Sequence, residues 1–557
     1  MLRAFAALSL CLTPVFGQLD LAGEWNPRFH EDQPERIPGP EIGDYLGLPV
    51  TDEARMRADS WDASILTLPE HQCKPHPSDY GPRGPANLRL WKEVDTATQQ
   101  TIAWHTHISW QAPERTIWMD GRPHPGPNAP HTWQGFSTGV WQGDILVVTT
   151  THLKTGWIRR NGVPRSDRAT LVEHWIRHGE ALTLVSTVYD PVYLTEPFVR
   201  STDFELDLRQ QIDPYPCEAV EEVPRPQGYV PHHLPGTNPF LKEFPTAHKL
   251  EGQPERGGAG TMYPDRTAGS SPQEIAPAAL FAPVSTLAVQ GSVHMLTGPQ
   301  GNMAVQVGPD GVLLVDALAG DDIKAAIRAL SAKPIRTIVN TSAGKAQTSG
   351  NEALSAMGQT ITGGNVAGAN AGFPAAIVAH ENVTASMTEA GAPATAWPGN
   401  TYVGDHKDLF LNSEAAQVLH VAHAHSDGDS IVFFRRSDVI ATGEIFSPDR
   451  YPSIEVANGG TINGVVAALN RLLDLTIPAD KQEGGTMLIP AHGRVCDEAD
   501  LVEYRDMVTI LRDRIQDMVK KGMTLEQVLA AKPTRDYDPL YGSGDAFVTA
   551  AFRSLSK

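Results

Sequence analysis

Between about Pro235 and Pro283 the chain loses all hydrophobic periodicity, and the texture on its two sides is different. The stretch PERGGAGTMYPDRTAGSSPQE mixes Pro, Gly, Ser and charge, which suits a linker wrapped over a neighbour and not a packed element. A chain of 557 residues also exceeds what one hydrophobic core serves. The break therefore predicts two domains, over 18–235 and 284–532, joined by a Pro/Gly-rich linker over 236–283 and followed by a tail over 533–557. No internal repeat is visible at a period of about 20 to 50 residues.

The block over 18–235 is rich in Trp, Pro and His and almost lacks helical periodicity. Strand-like runs recur between turn signals: Thr101 to Trp110, Arg115 to Met119, Asp144 to Thr151, Ala169 to Arg177 and Ala181 to Tyr189. Short polar connections such as GVWQGD and RHGE predict a mainly β domain, an antiparallel barrel or meander. The opening Asp20-Leu-Ala-Gly-Glu-Trp25 resembles the Gly-x-Trp start of lipocalin-like barrels, and the alternative is a Trp that plugs a small β-sandwich. His105 and His107 would project from one side of a strand, with His124 and His131 in a Pro-rich loop downstream. His-x-His can hold a metal, but no carboxylate stands at a telling spacing. These side chains read as polar groups of a ligand pocket or as satisfied surface residues.

Residues 1–17 have the pattern of a secretory leader: Arg3, an apolar run from Ala4 to Val15, then Val15-Phe16-Gly17. That run is too short to span a bilayer, and no other segment approaches about 20 apolar residues. Export, to a periplasm or beyond, is the expectation, and an oxidising compartment would let Cys73 and Cys217 pair and leave Cys496 buried and free. The formal net charge of -20 and the lack of any long basic run argue against nucleic acid or an anionic membrane as partner. A small-molecule ligand or substrate stays open, and oligomeric state is unreadable.

After Val284, strands and helices alternate. Amphipathic helices are predicted over Asp321 to Ala332, Ile462 to Leu475 and Glu498 to Lys521, and short apolar strands between them, which gives an α/β domain. Four separated motifs then carry a resemblance: Gly311-Val-Leu-Leu-Val-Asp316, Pro334-Ile-Arg-Thr-Ile-Val-Asn-Thr341, Ala424-His-Ser-Asp-Gly-Asp-Ser430 and Leu488-Ile-Pro-Ala-His-Gly493. In order and context they resemble the metallo-β-lactamase-fold hydrolases over about 245 residues. That resemblance implies an αββα sandwich with metal ligands at strand ends, where two zinc ions activate water for hydrolysis.

The resemblance breaks at the zinc loop. Where the family carries His-x-His-x-Asp-His after Asn-Thr, this chain has Ser342, Gly344, Ala346 and Gln347 in the four ligand positions. The later positions keep side chains that could ligate: His425, Glu444 in place of a bridging Asp, and His492. The implied reading is an exported, divergent or inactive homologue without normal dinuclear zinc catalysis. The first alternative is a hydrolase holding one zinc ion at His425, Glu444 and His492, with Asp316, Lys345 and Gln347 as candidate catalytic residues and Lys345 or Gln347 facing an oxyanion. The second is a ligand-binding function carried by the N-terminal β domain. Ser342-Ala-Gly-Lys345 has Ser-x-x-Lys spacing, but the Gly resists the helix that would bring the pair together, so chance explains it. Residues 363–402, rich in Ala, Gly and Asn, are expected to form part of the site's rim.

Overall fold

The computed structural model describes residues 19–28, 40–83, 86–109, 114–212, 214–258, 261, 284–360, 373–479 and 481–556. The leader-like residues 1–17, most of 259–283 and the first part of the expected rim lie outside them.

Nine strands close into a barrel: β1 (Gly23–Pro27), β2 (Leu88–Val94), β3 (Thr101–Ile108), β4 (Arg115–Trp118), β5 (Phe136–Gln142), β6 (Ile145–Thr151), β9 (Thr170–His178), β10 (Ala181–Tyr189) and β11 (Phe198–Leu206). A separate hairpin, β7 (Gly156–Arg159) with β8 (Val163–Arg165), is largely buried and packs against the Asp52–Ser60 helix. Pairing is antiparallel except between β4 and β5, which run parallel. The barrel is thus not a pure antiparallel one, because the Pro-rich loop after β4 carries the chain back before β5 begins. Alternation along β10 sends Leu182 and Leu184 inward to meet Trp25, Trp104, Trp175 and Phe204, so side chains fill the barrel end. Trp25 is that plug: fully buried, with its indole N–H donated to the Leu21 carbonyl at 3.1 Å.

Cys73 and Cys217 form a disulfide with 5.5 Å between Cα atoms, and Cys496 is free and buried. Residues within the Pro/Gly-rich stretch pack back on the N-terminal half: Arg256 pairs with Asp59 at 2.6 Å and Phe244 is buried.

The second half is built on two sheets. The first holds β12 (Ser285–Gln290), β13 (Val293–Gly298), β14 (Gly301–Gly308), β15 (Gly311–Val315), β16 (Ile335–Val339), β17 (Ala376–His380) and β18 (Asn400–Tyr402), in that order. The second holds β19 (His406–Leu411), β20 (Glu414–His420), β21 (Ser430–Phe434), β22 (Val439–Gly443) and β23 (Met487–Pro490). Val293, Leu313, Val315, Val339 and Val378 of the first meet Val418, Val432, Phe434, Ala441 and Ile489 of the second in one core. Helices cover both outer faces. The Asp321–Leu330 helix sets Ile323 and Ile327 on the first sheet, and the Ile462–Leu475 and Glu498–Lys520 helices pack Leu469, Leu472, Leu501 and Leu511 on the second. The chain beyond Lys532 joins that same core through Phe547, Val548 and Ala551. Because β15, β16 and β17 are parallel, as are β22 and β23, the loops leaving their C-terminal ends gather on one rim. Among the described residues no helix is long and apolar enough to cross a membrane.

Candidate functional site

The rim is organised by two buried clamps. Asp316, just past β15, sits in the left-handed region at φ 66° and accepts the Thr341 backbone N–H at 2.8 Å and its hydroxyl at 2.9 Å. Burial pushes the Asp316 carboxyl up to about 8, against the pull of the Thr341 donors, and the charge of Glu444 adds to the rise. Asn340 and Asn351 exchange side-chain hydrogen bonds at 2.8 and 2.9 Å, and Asn340 also donates to the Gln347 carbonyl at 2.8 Å. Together they fix the loop over 341–350.

A third approach comes from β22. Gly443 has φ 54°, and a Cβ there would fall 2.6 Å from the Thr341 hydroxyl, so only glycine lets the two loops meet. The next residue, Glu444, lies at the centre. Gln347 donates its amide to Glu444 Oε1 at 2.8 Å, and His492 Nε2 lies 3.5 Å from the same oxygen. Burial would raise the Glu444 carboxyl, but the His492 contact and charge, His425 and the Gln347 amide hold it below its ordinary value. His425 directs Nδ1–H to the Ser453 carbonyl at 2.9 Å, which leaves Nε2 on the side of Glu455, 3.8 Å away. Burial opposes the imidazolium here, yet Asp429, that carbonyl, Glu444 and Glu455 together hold the pKa above the ordinary value.

The structure therefore brings Asp316, Gln347, Glu444, His425 and His492 to one rim. Lys345 is on the same loop but exposed, and no hydrogen bond or ion pair joins it to Ser342, which is buried and accepts from Gly344 N–H at 3.3 Å. Sequence reading missed Glu455 and the His380–His420 pair, whose rings stack at 3.7 Å where β17 and β20 end. Neither has a motif, and only strand pairing places them. The barrel histidines are elsewhere: His105 is on the outer face against Glu93 and Trp91, and His124 is held between Thr138 and Thr151.

The donor set does not fit a pair of zinc ions. Gly344 and Ala346 offer no ligand atom, and Gln347 turns an amide donor toward the one carboxylate that could bridge two metals. Among the described residues no three His, Cys, Asp or Glu side chains are grouped to hold an ion.

No protein-family model matches the sequence, and no curated protein matches it. Among solved structures the chain is similar to a metallo-β-lactamase from Pontibacter korlensis, 13% identical, over 41% of this chain and 99% of that one, with a TM-score of 0.33. It is similar to a metallo-β-lactamase from Hirschia baltica at 19% identity, over 41% and 98%, with a TM-score of 0.32. A stereoselective inverting sec-alkylsulfatase from Pseudomonas sp. is 14% identical over 48% of this chain and 50% of its own, with a TM-score of 0.38. The chain thus spans half the length of the alkylsulfatase.

Proposed function

We propose that this chain is an exported protein built on a metallo-β-lactamase-like sandwich whose site has been converted from metal ligation to internal hydrogen bonding, so that its role is not dinuclear zinc hydrolysis. The observation that carries the reading is the Gln347 amide seated on Glu444 beside His492. What remains of the zinc-loop pattern is its scaffolding, Asp316 with Thr341 and Asn340 with Asn351, while the four positions of the ligand side chains are Ser342, Gly344, Ala346 and Gln347. A loop kept in shape without its ligands suits a binding or scaffolding role. Export is supported by the leader-like residues 1–17 and by the Cys73–Cys217 disulfide, a bond that persists in oxidising compartments.

The second reading, a hydrolase with a single metal at His425, Glu444 and His492, needs these three side chains to draw together, since they are not grouped to hold an ion as they stand. His425 Nδ1 is fixed by the Ser453 carbonyl, which leaves Nε2 as the ligating atom. Hydrolysis of a chromogenic ester and a chromogenic β-lactam, with and without added zinc, separates the two. Our reading expects no zinc-dependent turnover. Zinc-dependent turnover that disappears in His425→Ala would overturn it in favour of the mononuclear enzyme.

A further inference from the structure

Away from the rim, a cavity of about 410 Å3 opens where the barrel's hairpin, the segment around Cys73 and the Glu498–Lys520 helix meet. Its size falls within the range of small-molecule pockets, about 300–1,000 Å3. Its walls carry Trp61, Trp133, Trp157 and Tyr80, with Trp61 and Trp157 edge to face at 5.9 Å. Residues 214–223 lie across one side as a strap. The Cys73–Cys217 disulfide ties it down, and Gln72 makes a paired bond with the Val220 backbone at 2.8 and 2.9 Å. The opening is therefore preorganised, which lowers the ordering cost of a ligand.

Several charged wall residues are already engaged within the protein. Arg57 bonds Tyr193 and Glu503, Lys74 lies 3.1 Å from Glu498, and His71 lies 2.7 Å from Asp506. Three exposed ones, Arg160, Glu218 and Glu222, have no such partner among the described residues. Free groups of both signs disfavour a ligand of single charge, since whatever Arg160 attracts the two carboxylates repel. A purely apolar ligand would cover the Arg160, Glu218 and Glu222 side chains without offering them a hydrogen bond. Hydroxyl groups both donate and accept. A polyhydroxylated ring satisfies all of these groups while its C–H face lies against an indole.

We infer that this aromatic cavity is a binding site for a neutral saccharide of one or two rings. The site is independent of the sandwich rim, and it joins the barrel to the second half through Ala499, Val502 and Glu503. The test is tryptophan fluorescence and calorimetric titration of the purified protein with maltose, cellobiose, lactose and sucrose, with 4-hydroxyphenylacetate and choline as charged controls. At least one sugar should quench saturably, and Trp157→Ala and the exposed-site variant Arg160→Ala should each weaken it by about tenfold or more. Thermal unfolding of Arg160→Ala should match the native protein, so that the loss is one of binding. No saturable response to any sugar up to about 10 mM overturns the proposal. So does sugar binding that both variants leave intact, or saturable binding of a charged control in place of every sugar.

Discussion

Gln347 is the residue on which the site turns. Its side chain is buried, and its amide gives Glu444 a neutral donor where a metal ligand would need a lone pair. Gln347→Leu keeps the volume and removes that donor, so the variant should unfold in urea about 1–3 kcal/mol more easily. An unchanged midpoint would show that the bond carries no stability. Asp316 supplies a pH test. Its folded pKa of about 8 lies above its ordinary value of 3.8, so between these pH values the folded chain keeps a proton that the unfolded chain releases. Stability from this group is therefore lost as pH rises through that window. Asp316→Asn, which tolerates the left-handed backbone, should lose less stability than the native protein between pH 5 and pH 8; parallel curves would contradict the assignment. The ligand losses were legible in the sequence, since each position is one letter. The Gln347–Glu444 contact was not, because it joins residues 97 apart that only sheet register places together.

Among the elements, the strands over 101–108, 145–151, 170–178 and 181–189 follow the runs read from the sequence, where alternation and turn signals agree. The helix Asp52–Ser60 was invisible to periodicity: it is mostly polar and buries only Ala54, Ala58 and Ser60, with Thr51 capping it by accepting the Ala54 N–H at 3.2 Å. The sequence left a barrel and a meander both open, and the choice falls to closure, in which β1 reaches both β2 and β11. Inside that barrel, Glu173 on β9 is fully buried and holds Arg115 of β4, which also bonds Ser137 and Thr150. Glu173→Gln leaves the guanidinium buried without its counter-charge. The variant should lose about 3–5 kcal/mol in denaturant unfolding, and a loss under about 1 kcal/mol would show that water reaches the pair.

At the scale of the molecule, the barrel and the sandwich meet through buried charge. Lys154 of the barrel side lies 2.8 Å from Asp497 and 2.9 Å from Asp500, and Arg494 bridges Asp500 at 3.0 Å to Asp167 at 3.2 Å. Arg514 and Asp536, both fully buried, add a bond to Ser60 at 3.2 Å. Such a network should make the halves unfold as one unit, giving a single calorimetric transition. Asp500→Asn leaves Lys154 and Arg494 facing one another and should lower its temperature, whereas two separate transitions in the native protein would show that the halves are energetically independent. The most direct test of the central claim is zinc content. The purified protein is dialysed against a modest excess of zinc and analysed for metal beside His425→Ala. Equal background zinc in both is the predicted result, and two equivalents per chain that disappear in the variant would contradict the account.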